Sequence, residues 1–171
     1  MRIQEIYSHA ATVRRKFARK LAKLPTKTVS QNNEASFHSM KNIMIHMIYV
    51  EDWLLSSAIL GRGRDYREKN FKSFQDMDAV LSYLDKVEVK TRAYLKNVNE
   101  RELRRKVKLQ FSPRGAVYPF TVEECLYQSA TEQLYHLGEL IALLWQENIK
   151  PPSMEWFSNN PRLSTPDRMN V

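Results

Sequence analysis

Residues 39–60 read SMKNIMIHMIYVEDWLLSSAIL, and this stretch decides the fold. Met40, Ile43, Met47, Val50 and Leu54 recur at steps of three and four, the spacing of one helical stripe. Ile45, Ile48, Tyr49, Trp53 and Leu55 make most of the remaining surface apolar too. A helix apolar nearly all round must be buried among other elements. Ser36 or Ser39 can cap its start, and Gly61-Arg62-Gly63 can end it near Leu60. His46, Glu51 and Asp52 interrupt the run, so it is no membrane span.

Working outward, three more helices supply the surround. Ile3, Ile6, Ala10, Val13, Phe17, Leu21 and Leu24 form one stripe that Pro25 stops. Arg14, Arg15, Lys16, Arg19, Lys20 and Lys23 fill its other faces, and residues 25–35 read as a polar connection. Residues 61–72 form a charged loop. Ser73 and Asp76 then have capping-box spacing before a third helix with Met77, Val80, Leu84, Val87, Thr91, Tyr94 and Val98 on one face, fraying into 100–106. Val107–Phe111 and Ala116–Phe120 flank Ser112-Pro113-Arg114-Gly115, which suits a hairpin with a type I turn, Pro119 keeping its strand at an edge. Thr121 and Glu124 form a second capping box for a helix from Val122 to about Asn148, closed by Pro151-Pro152. The expectation is an all-α protein: a four-helix bundle over residues 1–157 with a small β-hairpin before the last core helix, and an irregular tail over 158–171. Neighbours joined by short links should run up and down; the pairing across 61–72 and 99–121 stays open.

A chain of 171 residues suits one core, and only 4 glycines argue against a turn-rich sandwich. The single cysteine, Cys125, excludes an internal disulfide and a cysteine-cluster metal site. With no apolar stretch or cleavage site near the N-terminus, no secretory signal is expected, and a reducing cytoplasm is the expected location. The net charge of +8 raises nucleic acid as a partner. The basic face of the first helix and Arg101, Arg104, Arg105, Lys106 and Lys108 are the residues for it. No aromatics are interleaved with them as stacking platforms, so two solvated faces are the simpler account.

Four histidines can carry chemistry: His9, His38, His46 and His136. Glu132 lies one turn before His136, so both side chains share a helix face and can reach one ion. The same spacing also describes an ordinary helix-face ion pair. His46 sits in the most apolar helix, where an imidazole must be hydrogen-bonded or coordinated. Together the three make a His2Glu set, which leaves a zinc ion an open coordination position and also fits the two-histidine, one-carboxylate pattern of non-haem iron. His38 reads as a surface or capping residue, His9 has no assigned role, and Cys125 reads as a small apolar filler. No Ser-His-Asp set, phosphate-binding glycine loop or CxxC motif is present.

The run Ser39 to Trp53 resembles the second helix of the DinB-like (YfiT-like) metalloenzymes. Thr121 to Ile141, with Glu132, His136, Gly138 and Glu139, resembles their last core helix, and Asn148-Ile-Lys-Pro151-Pro152 the turn after it. The likeness covers about residues 1–157. It implies a four-helix bundle, often a homodimer, holding a divalent metal, usually zinc or nickel, with iron or manganese as further options. The ligands implied here are His46, Glu132 and His136. Some relatives transfer low-molecular-weight thiols, and others isomerise with thiol help. The resemblance thus implies a metal-dependent enzyme in which an activated thiol or water attacks a small substrate. The family pattern has histidine where this chain has Glu132 and glutamine where it has Glu139. Gln128, one turn earlier, can steady Glu132 or be a plain polar residue. A non-catalytic, stress-associated bundle with a degenerate site is the alternative, and nucleic-acid binding a second one.

Overall fold

The computed structural model describes residues 3–62, 70–110 and 114–159. The first helix, α1, spans Ile3–Leu21, and α2, Thr26–Ser30, follows directly after Pro25. The 25–35 stretch is thus partly helical rather than a plain connection, because Val29 finds a place in the core. The central helix α3 spans Met40–Trp53, and Ser39 is its cap, accepting the Asn42 backbone NH at 3.2 Å. It does not run unchanged to Leu60: Leu54–Ile59 form a π-helical turn. Asp76, not Ser73, caps α4 (Met77–Asn97), accepting the Ala79 NH at 2.9 Å. Ser73 instead closes a short 3-10 turn over Phe71–Ser73. Where fraying was expected, Asn99 caps a further short helix, α5 (Glu100–Leu103).

The hairpin is present. β1 (Lys106–Gln110) and β2 (Val117–Thr121) pair antiparallel with Lys108 opposite Pro119. Phe111, the expected end of the first strand, and Ser112 and Pro113 of the expected turn lie outside the described residues. The Thr121–Glu124 capping box forms as its spacing implied, and α6 spans Val122–Gln146. Asn148, at φ 56, reverses the chain so that the Ile149 NH reaches the Leu144 carbonyl at 2.8 Å. The tail is not wholly irregular: α7 (Trp156–Asn159) packs on α1, with the Trp156 ring 4.7 Å from His9. Residues 160–171 lie outside the described set.

The four long helices pack in the ring order α1, α6, α3, α4. Two apolar clusters fix their directions. One end gathers Phe17 and Leu21, Met40 and Ile43, Met77 and Val80, Leu140 and Leu144. The other gathers Ile3, Leu54, Leu95 and Val122. So α1 and α6 run one way and α3 and α4 the other, an up-down-down-up bundle. Residues 61–72 therefore join parallel neighbours, while α5 and the hairpin cross the diagonal from α4 to α6. Among the described residues, no helix is long and apolar enough to cross a membrane.

A polar layer separates the two clusters. Glu51 accepts Tyr7 at 2.5 Å, Thr91 at 2.6 Å, Arg14 at 2.6 Å and Gln133 at 3.1 Å. Glu88 accepts Arg15 at 2.7 Å and Arg92 at 2.6 Å, and lies 3.4 Å from Arg14. Arg14, which the sequence placed on a solvated face, is fully buried. Ala10, Ala11 and Ala18, one turn either side, leave it room. Buried charges of this kind persist only when paired and hydrogen-bonded, and here the carboxylates have donors on every side.

Candidate metal centre

The site forms where α3 and α6 face each other. His46 comes from the middle of α3, and Glu132 and His136 from successive turns of α6. Their donor atoms, one per residue, all lie within 4.8 Å of one another. Both imidazoles aim Nε2 at one oxygen: Glu132 Oε1 is 3.1 Å from His46 and 3.2 Å from His136. Ligands around a tetrahedral ion with bonds of about 2.0–2.2 Å stand roughly 3.4 Å apart, so the residues fit one ion with small adjustments. The histidine side chains are 9% and 4% exposed and Glu132 is 23% exposed, so solvent meets the cluster on its carboxylate side.

His136 carries the most informative contacts. Its Nδ1 lies 2.9 Å from Glu139 Oε2, while its Nε2 faces Glu132. Carboxylates accept and do not donate. If Nδ1–H donates to Glu139, the neutral ring presents a lone pair to Glu132, lone pair against lone pair. In that tautomer the Nε2–Oε1 contact is relieved by a cation between the two atoms, whereas the other neutral tautomer places the ring proton on Nε2 and turns the lone pair towards Glu139. A carboxylate holding the far nitrogen of a histidine is also the usual support of a metal-ligating imidazole. Glu139, the residue expected to lose a supporting role for want of a glutamine, makes a contact of this geometry with His136.

The surrounding residues hold this geometry. Glu139 accepts the Ser36 backbone NH at 2.9 Å and its hydroxyl at 2.8 Å. Burial works to raise the Glu139 carboxyl, but the Ser36 and His136 contacts outweigh it and hold it below the usual carboxylate range. Gln128 donates to Glu132 Oε2 at 2.9 Å, the steadying contact that its one-turn spacing allowed. Phe37 stacks on His46 at 3.9 Å and meets His136 edge-on at 5.4 Å, closing the inner side. Ser36 and Phe37 were missed as site residues. They reach it through the bend before α3, and no helical spacing ties them to His46 or Glu139.

A cleft of about 650 Å³ opens beside the cluster, bounded by His46 and Glu132 on one side and by residues of α3, α6 and the hairpin on the others. Cys125 borders it, but burial and the nearby Glu124 push its thiol up to about 11 against the opposing effect of Arg105. It is a thiol at neutral pH and fills space, as its sequence context suggested. His38 is exposed, with φ 68, and stands outside the cluster. The basic surface considered for nucleic acid is depleted. Arg14 is buried, Arg15 pairs with Glu88 and Asp85, Arg104 with Glu100, and Arg105 with Glu102.

A family model described as the DinB family matches residues 1–163. The crystal structure of a DinB-like protein from Bacillus cereus ATCC 10987 is similar with a TM-score of 0.64 at 15% identity, covering 88% of this chain and 94% of that one. That likeness shows a shared fold. No curated protein matches the sequence.

Proposed function

Starting from the fact that the chain belongs to the DinB family, we propose that His46, Glu132 and His136 hold one divalent metal ion in a metal-dependent transferase or hydrolase acting on a small substrate. The observation that carries this reading is His136 set between two carboxylates, with a second imidazole converging on the same Glu132 oxygen. The family resemblance points to zinc or nickel, two imidazoles and a carboxylate also suit iron, and manganese is a further option. When bound, such an ion supplies Lewis acidity and lowers the pKa of a water or thiol at its open position.

The chain's own residues do the rest. Glu139 fixes the His136 ring so that Nε2 faces the ion site, and Gln128 restrains the outer oxygen of Glu132. Phe37 covers the inner side, leaving the cleft as the approach for substrate. A carboxylate in place of a third imidazole makes the ion a weaker Lewis acid and its bound water or thiol a weaker acid. One unit over residues 1–157 with a tail after it remains our proposal for the domain division. Self-association is part of the same reading. Tyr135 and Trp145 stand exposed on α6 with Gly138 and Ala142 between them, a flat face suited to a second copy.

A second reading has one observation in its favour. Both imidazoles stand within hydrogen-bond distance of Glu132 Oε1, so a degenerate, purely structural cluster is the competitor. Thermal melting separates the two. Zinc at about 100-fold over its dissociation constant adds roughly 2.7 kcal/mol to a protein that binds it, about 5–10 °C in Tm at this size. That upward shift is expected for the wild type and should vanish in His136→Ala. No shift in the wild type would leave only the structural cluster.

A further inference from the structure

The geometry points to an uncharged, largely apolar small molecule as the ligand of the cleft, with anionic thiols selected against; this rests on the metal reading above for its charge argument but not for its shape argument. The shape comes from the walls. Val50 and Trp53 of α3, Leu54 of the π-helical turn after it, Leu109 and Phe120 of the hairpin and Cys125 of α6 line a space of about 650 Å³. A volume of that size accommodates a drug-sized molecule, and walls of that kind favour burying its apolar body. Leu54 opens the π-helical turn, so the local change of pitch shapes this wall.

The charge comes from the polar side. It consists of His46, Glu124, Gln128 and Glu132, with no Lys or Arg among the described lining residues. Arg105, the cation near Cys125, is bound to Glu102 at 2.7 Å and to the Ile59 carbonyl at 2.7 Å. Glu124 is held ionised by the Thr121 backbone NH and hydroxyl. Two carboxylates act in the same direction. Glu132 and Glu139 both contact His136, so together their charges offset that of a divalent ion held there. With Glu124 at the rim, an anionic ligand meets a site with no net attraction, whereas an apolar one still gains from leaving water.

Two measurements test this. In chelator-treated protein, uncharged Nile red should bind with a fluorescence rise, Phe120→Glu should weaken it at least tenfold, and Phe120→Leu should retain it. In zinc-loaded protein, calorimetry should find benzyl mercaptan bound at least tenfold more tightly than mercaptosuccinate. The double variant Glu132→His with Glu139→Gln should narrow that gap by restoring positive charge. Mercaptosuccinate binding as tightly as benzyl mercaptan to the wild type, or Nile red binding equally to Phe120→Glu, overturns the proposal. If zinc loads but Nile red does not bind, the apolar ligand falls and the metal reading stands. If Nile red binds in the Phe120-dependent way but zinc never loads, the metal reading falls and the apolar cleft stands.

Discussion

Glu51 shows what a single residue does in this protein. It collects four donors from three other helices in the layer between the two apolar clusters. Removing it leaves the buried Arg14 guanidinium with only its longer, 3.4 Å contact to Glu88. Glu51→Ala should therefore cost about 3–5 kcal/mol, read as a lower denaturation midpoint in urea. A loss under about 1 kcal/mol would mean the layer relaxes or admits water. This layer was not legible in the sequence: Arg14 read as part of a solvated face, Glu51 only as an interruption of an apolar run, and nothing marked Glu88. The usable signal was weak: Glu51 lies inside the most apolar helix, and Arg14 has alanines a turn away on both sides. Cys125 makes a second case. With its thiol pushed up to about 11, the reactive thiolate is scarce at neutral pH. Iodoacetamide labelling should be slow at neutral pH and rise about tenfold per pH unit towards that value. A labelling rate that levels off by pH 9 would contradict the burial assigned to it.

Element starts with a local chemical signature were legible. Thr121 caps α6 where the sequence placed it, and Ser39, one of the two caps offered for α3, is the one used, because a cap needs only its own side chain and the next turn's amides. Thr121→Ala breaks the capping box and should cost about 1 kcal/mol, a drop of roughly 2–4 °C in Tm. An unchanged Tm would show that hairpin pairing, not the cap, fixes the start of α6. Elements set by tertiary contact were not legible. The α2 helix depends on Val29 entering the core, and the π-helical turn after Trp53 on how that end packs against β1 and α6. Asp76 displaced Ser73 as the cap of α4, since both offer the right side chain and only packing chooses between them.

At the scale of the molecule, the four long helices were readable, while the short ones and the layout were not. Periodicity gives each helix a buried face but not its neighbour, so the up-down-down-up order and the diagonal crossing of the hairpin came only with the structure. The convergence of His46 with the Glu132–His136 pair was the one long-range contact the sequence suggested, through burial of one and spacing of the other. The supports at Ser36 and Phe37 depend on a bend that no spacing encodes. The exposed face of α6 makes its own prediction. Trp145→Glu should halve the apparent mass in light scattering while leaving the far-ultraviolet helix signal intact. A wild type that already runs as a monomer would remove the proposed pairing.

The measurement that reaches the central claim most directly is the metal content of the protein purified without a histidine tag. The account predicts close to one zinc, nickel, iron or manganese per chain, falling to a small fraction of that in His46→Ala and in His136→Ala. Wild-type protein that carries no such ion, and takes none up when dialysed against zinc, would contradict it.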